Sequence, residues 1–108
     1  MTRINTFDEY QDLAEQTAIY PAGQALAYLS LGLGEAGEVQ GKVKKIIRDG
    51  PAGPSYEDVA KELGDLLWYV ANLAGVLGYN LSDIAGMNIE KLFDRKERGV
   101  LGGSGDNR

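Results

Sequence analysis

The sequence predicts an all-α protein, a four-helix bundle, and three observations carry that prediction. No run of alternating apolar and polar residues is long enough to make a strand. Apolar residues recur instead at spacings of three and four, as in Leu63, Leu66, Leu67, Val70, Leu73, Ala74 and Leu77. These stretches begin at capping residues and end at glycine or proline. A chain of 108 residues is expected to form one domain, over residues 1–100, followed by a flexible Gly-rich tail over 101–108. At this size only roughly 65% of the unfolded surface can be buried. The surplus apolar surface predicts a dimer, or a dimer of dimers.

The elements follow in order. Thr6-Phe7-Asp8-Glu9 has the form of a capping box and starts a first helix that should run from Phe7 to about Ala18, before Tyr20-Pro21-Ala22-Gly23 breaks it. A second helix is expected from near Gln24 to Arg48-Asp49-Gly50, with Leu26, Leu29, Leu33, Val43 and Ile47 as its apolar stripe and Gly50 as its stop. Gly32, Gly34, Gly37 and Gly41 lie inside it, and each costs about 1 kcal/mol relative to alanine. Close approach of another helix or a ligand would compensate; the alternative is a kinked or broken helix. Ser55-Tyr56-Glu57-Asp58 is a second capping box, opening a third helix that stops at Gly78. Ser82 should cap a fourth, with Ile84, Met87, Leu92 and Phe93 inward and Gly99 at its end.

Composition narrows the chemistry. The net charge is −5 and the pI about 4.6, which argues against nucleic acid as a partner. No cysteine and no histidine are present, so thiolate chemistry, imidazole catalysis and a zinc site are all disfavoured. A metal here would be held by oxygen, which favours Mg²⁺, with Mn²⁺ as the alternative and Ca²⁺ a weaker fit. The longest uncharged run, Leu66 to Ser82, contains Asn72, Gly75, Gly78 and Asn80 and is unsuited to a bilayer. The amino terminus has no apolar segment of the secretory kind, so a soluble cytoplasmic protein is expected.

Two carboxylate pairs stand out, Glu35 with Glu38 and Glu62 with Asp65. Residues three apart share a helix face, so two adjacent helices would gather four acidic groups that repel unless a cation lies between them. The pairs continue into longer faces: Glu35, Glu38, Lys42, Lys45; then Glu62, Asp65, Tyr69, Asn72; then Asn88, Lys91, Arg95, Arg98. Carboxylates for metal, cations for phosphate (Lys45, Lys91, Arg95) and an aromatic ring for a base (Trp68, with Asn72 and Asn88 as polar contacts) are what a nucleoside polyphosphate requires. The plain alternative is a set of solvated faces, with Lys91 and Arg95 complementing a helix dipole and Trp68 and Tyr69 packing in a core or dimer contact. Against it, charge vanishes after Asp65 while Trp68, Tyr69 and Val76 occupy the face that should meet water.

Glu35-x-x-Glu38 followed by Glu62-x-x-Asp65, together with Asn88-Ile89-Glu90-Lys91-Leu92, Arg95 and Arg98-Gly99, resembles the MazG-like nucleoside triphosphate pyrophosphohydrolases of the all-α NTP-pyrophosphatase superfamily. The likeness spans about Leu26 to Gly99. It implies Mg²⁺-dependent cleavage of a (deoxy)nucleoside triphosphate between the α- and β-phosphates, giving monophosphate and pyrophosphate, in a homodimer or homotetramer. It implies Glu35, Glu38, Glu62 and Asp65 as metal ligands, Lys91 and Arg95 as phosphate contacts, and Asn88 as a further contact. Members often begin the first motif with a glutamate doublet, and here the first position is Gly34. The general-base role then falls to Glu35 or Glu38, or to a metal alone. The rival expectations are a pyrophosphatase for phosphoribosyl-ATP or an alarmone, a regulator that binds metal and nucleotide without hydrolysis, and a non-catalytic helical dimerisation module.

Overall fold

Capping chemistry sets most of the helix boundaries. Helix α1 (Phe7–Glu15) begins where the Glu9 amide donates to Thr6 Oγ1 at 3.0 Å, and Glu9 reaches back to the Asn5 amide rather than to Thr6. It stops before the expected Ala18, because the Thr17 hydroxyl takes the Ala14 carbonyl at 2.8 Å and the Thr17 and Ala18 amides bond three residues back. The computed structural model describes residues 1–108, all as helix, turn or irregular chain.

The expected second helix is broken. It divides into α2 (Ala25–Gly32), a 3-10 turn over Leu33–Glu35, and α3 (Ala36–Asp49). Gly32 lies against the Tyr69 ring, where an added Cβ would stand 2.1 Å from Cε1. Close approach therefore explains Gly32, whereas Gly34, Gly37 and Gly41 face open space, contrary to the tight packing expected of all four. Two glycines within three residues leave the backbone free to tighten into the 3-10 turn. Gly50 ends α3 at φ +55°, as expected.

Helix α4 (Tyr56–Val76) opens with the full Ser55–Asp58 capping box and closes with the Tyr79 amide on the Ala74 carbonyl at 2.9 Å and Gly78 at φ +87°. Helix α5 (Leu81–Glu97) starts at Leu81 with Asn80 in the cap position. Ser82 is thus inside the helix, a correction to its expected role as cap. Its amide and hydroxyl donate to the Asp8 carboxylate at 3.2 and 2.9 Å, tying α5 to α1.

Helix α4 is the hub: α1, α2, the 3-10 turn, α3 and α5 all pack on it, while α5 touches α1 and α4 and makes no contact with α3. Gln11 locks the hub. Its amide nitrogen donates to the Ala71 and Tyr79 carbonyls, both at 3.1 Å, and its oxygen accepts from the Leu81 amide at 2.8 Å. One buried side chain therefore holds α1 to the α4–α5 turn and satisfies backbone groups that lie away from water.

Leu29 is fully buried, and Ala14, Ala71, Ala74 and Leu81 are the other buried apolar residues, but only 8 of 108 residues are buried in all. Of the expected apolar stripes, Leu26, Val43, Ile47, Leu63 and Leu67 are exposed, as are Met87, Leu92 and Phe93, which were expected inward. Helix α5 is tied to α1 at its start through Leu81 and Ser82 and packs on α1 and α4 alone. The radius of gyration is 16.7 Å, against about 13 Å for a compact chain of this length.

Candidate metal and phosphate site

The 3-10 turn and α4 bring one carboxylate from each pair to the same place. Glu35 and Asp65 line an open cavity of about 330 Å³ with Trp68 and Tyr69. The aromatic pair is positioned from two sides. The Trp68 indole N–H donates to Thr17 Oγ1 at 2.8 Å, and the Tyr69 ring rests on Gly32. The two rings meet edge to face at 5.0 Å between centroids.

The field in this cavity is negative. Burial, then Tyr28, Glu35 and Asp65, push the Tyr69 hydroxyl above its ordinary value, and burial followed by Asp65 does the same to Tyr10. Both phenols stay protonated at neutral pH and remain available as donors. The lining holds two carboxylates and no cation. An all-oxygen donor set of this kind suits a hard divalent ion.

The other two predicted ligands stand apart. The Glu62 carboxylate faces Lys42 at 3.9 Å, across α3 and α4, and Glu38 is exposed. No three acidic side chains stand close enough together to hold a metal ion. Like charges with no cation between them repel, which disfavours their convergence.

The predicted substrate contacts distribute over three places. Trp68 lines the carboxylate cavity. Asn72 is buried, donates to the Trp68 carbonyl at 3.1 Å, and faces a second cavity of about 280 Å³ shared with Gln11, Asp12, Glu15 and Tyr20. Lys45 is exposed far along α3, and Asn88 is exposed on α5. Lys91 and Arg95 lie on α5, which does not reach α3 within one chain; both are engaged by Asp106, at 3.1 and 3.4 Å. Tyr10, Tyr28 and Thr17 were not anticipated from sequence. No local signal marks them, because each gains its place from helix packing.

The chain is all-helical, with Glu35 and Asp65 beside Trp68 and Tyr69 in one cavity, and comparison with known proteins assigns its family. Residues 24–100 match the MazG nucleotide pyrophosphohydrolase domain, and the chain belongs to that family. The chain is also similar to the Gene 37 protein of Mycobacterium phage L5, 49% identical over 111 residues that span 94% of this chain and 97% of the phage protein. No solved structure matches it. No helix is long and apolar enough to cross a membrane.

Proposed function

We propose that this protein is a Mg²⁺-dependent nucleoside triphosphate pyrophosphohydrolase, converting (d)NTP to (d)NMP and pyrophosphate in nucleotide-pool house-cleaning in the cytoplasm. The observation that carries the proposal is the cavity where Glu35 and Asp65, from two different elements, converge beside Trp68 and Tyr69 in a MazG-family chain. Glu35, Glu38, Glu62 and Asp65 would hold the metal, with Mn²⁺ able to substitute. When bound, the ion neutralises phosphate charge and acidifies the attacking water.

The chain's own residues supply the rest. Water attacks the α-phosphorus in line, its proton passes to Glu35 or Glu38, the α–β bridging P–O bond breaks, and pyrophosphate departs with that bond's electrons. Trp68, held edge-on to Tyr69 and fixed by Thr17, offers a rigid apolar surface for the base. Asn72, which donates to the Trp68 carbonyl and lines the second cavity, would contact the nucleoside from that side. Lys91 and Arg95 meet phosphate, with Lys45 and Asn88 as outer contacts.

The exposed apolar residues of α3, α4 and α5, with the large radius of gyration, support a homodimer or a dimer of dimers. Within a chain α5 packs on α1 and α4 and not on α3, so association of two copies is one way for its cations and Glu38 to face one substrate.

Incubating the protein with each common NTP and dNTP, with Mg²⁺ or with EDTA, and identifying products by chromatography tests the proposal. Monophosphate and pyrophosphate should form only with metal. Asp65→Asn and Glu38→Gln should each lower turnover at least about 100-fold while leaving the helical circular dichroism unchanged. Absence of turnover, with no metal-dependent shift in melting temperature, would overturn it in favour of a helical dimerisation module.

A further inference from the structure

The carboxy-terminal arm begins where the family match ends, and it folds back onto α5. Its Asp106 carboxylate accepts from Lys91 Nζ at 3.1 Å and from Arg95 Nη2 at 3.4 Å. The same Arg95 nitrogen also donates to the Asp106 carbonyl at 3.0 Å and the Gly105 carbonyl at 3.4 Å. Lys91 and Arg95 are one helical turn apart on one face of α5. One anionic oxygen shared between an ammonium and a guanidinium is the arrangement a phosphate oxygen would adopt on the same two groups.

We propose that the arm is an intramolecular occupant of this anion site, with Asp106 in the place of a substrate phosphate, so that a polyphosphate binds Lys91 and Arg95 only by displacing it. The inference rests on the phosphate role given to these two residues above.

The arm is built to return. Gly99, Gly103 and Gly105 have φ of +70°, +93° and +84°, which reverse the chain between Arg95 and Asp106. Arg108 donates to the Val100 carbonyl at 3.2 Å, to the Leu101 carbonyl at 3.1 Å and to the Gly105 carbonyl, closing the arm into a loop. Arg98, paired on its other side with Asp94 at 2.9 Å, donates to the Arg108 carbonyl at 2.6 Å. The arm is also the cover over Arg95, whose side chain is 6% exposed. An arginine that sheltered requires partners, and the arm supplies them.

The occupant is nonetheless weak. The Asp106 side chain is 81% exposed, so its ion pairs are solvated and salt-screened. Lys91, and then Arg95, hold its carboxyl below the usual carboxylate range, which keeps it ionised and seated at neutral pH. It brings one charge on a Gly-rich segment, whereas a triphosphate brings about four without having to order a chain. Competition should therefore tune affinity rather than block the site.

The test is calorimetric titration of the full chain with inorganic tripolyphosphate at fixed low salt, for wild type, Asp106→Asn, Lys91→Met and a chain ending at Val100. Asp106→Asn and the shortened chain should bind about 3- to 10-fold more tightly than wild type. Hydrogen exchange of the amides after Val100 should accelerate in wild type when tripolyphosphate is added. Weakened binding by Lys91→Met with no gain in Asp106→Asn would overturn the arm's role and leave the phosphate site standing. Equal binding by wild type and Lys91→Met, or no binding by any of the four, would overturn both.

Discussion

Two halves of this molecule are held together by different physics. Around α4, the helices α1, α2 and α3 are fixed by packing and by satisfied buried polar groups: Leu29 in the core, Gln11 across to the α4–α5 turn, Tyr69 on Gly32. The second half, α5 and its arm, leaves Met87, Ile89 and Phe93 exposed and is finished by ionic contacts from Asp106 and Arg108. The contrast teaches that the carboxylate cavity is set on the packed half while Lys91 and Arg95 sit on the one finished by ionic contacts. Preorganisation is needed where charge must converge on an ion, and displaceable contacts suffice where a flexible polyphosphate tail arrives.

The contrast can be broken most directly at Gln11. Gln11→Leu leaves the Ala71 and Tyr79 carbonyls and the Leu81 amide without their partner. The expected loss is about 2–3 kcal/mol, with a matching fall in melting temperature. A change under about 0.5 kcal/mol would mean that α1 is not clamped to the hub by this side chain.

Gly32→Ala should come next. The new methyl would collide with the Tyr69 ring, and the overpacking cost is expected at about 1–3 kcal/mol. Combining it with Tyr69→Leu should recover part of that loss, since the clash is with the ring itself. Full additivity of the two variants would show that the glycine is not there for the ring.

The smallest effect concerns pH. Asp58 is held below the usual carboxylate range, first by the Ser55 amide and then by the Ser55 hydroxyl. Its contribution is therefore complete above the ordinary carboxylate pKa and is lost as pH falls through the lowered value. Melting curves of wild type and Asp58→Asn should differ at neutral pH and converge at low pH. A difference that stays constant across that range would place the effect elsewhere than in the cap.

Much of the local structure was legible beforehand because it depends on neighbours in sequence. The Ser55–Asp58 box, the Gly50 and Gly78 stops and the Thr6 cap each involve residues within five positions. Ser82 misled for the same reason: it has the composition of a cap, but its partner is Asp8, 74 residues away. The candidate site was legible as motifs and not as geometry. Spacing put Glu35 with Glu38 and Glu62 with Asp65 on helix faces, yet which carboxylates share a cavity depends on the 3-10 turn and on where Tyr69 lodges.

By itself, then, the sequence determined the helical class, the caps, the oxygen-only donor set and the family motifs, since periodicity and side-chain chemistry are properties of short stretches. Only the tertiary structure decided that Glu35 and Asp65 line one cavity, that Thr17 steadies Trp68, that Gln11 bridges three backbone groups and that Asp106 lies on Lys91 and Arg95. Those contacts join residues separated by turns and glycines, and their positions follow from how whole helices pack, which no local pattern encodes.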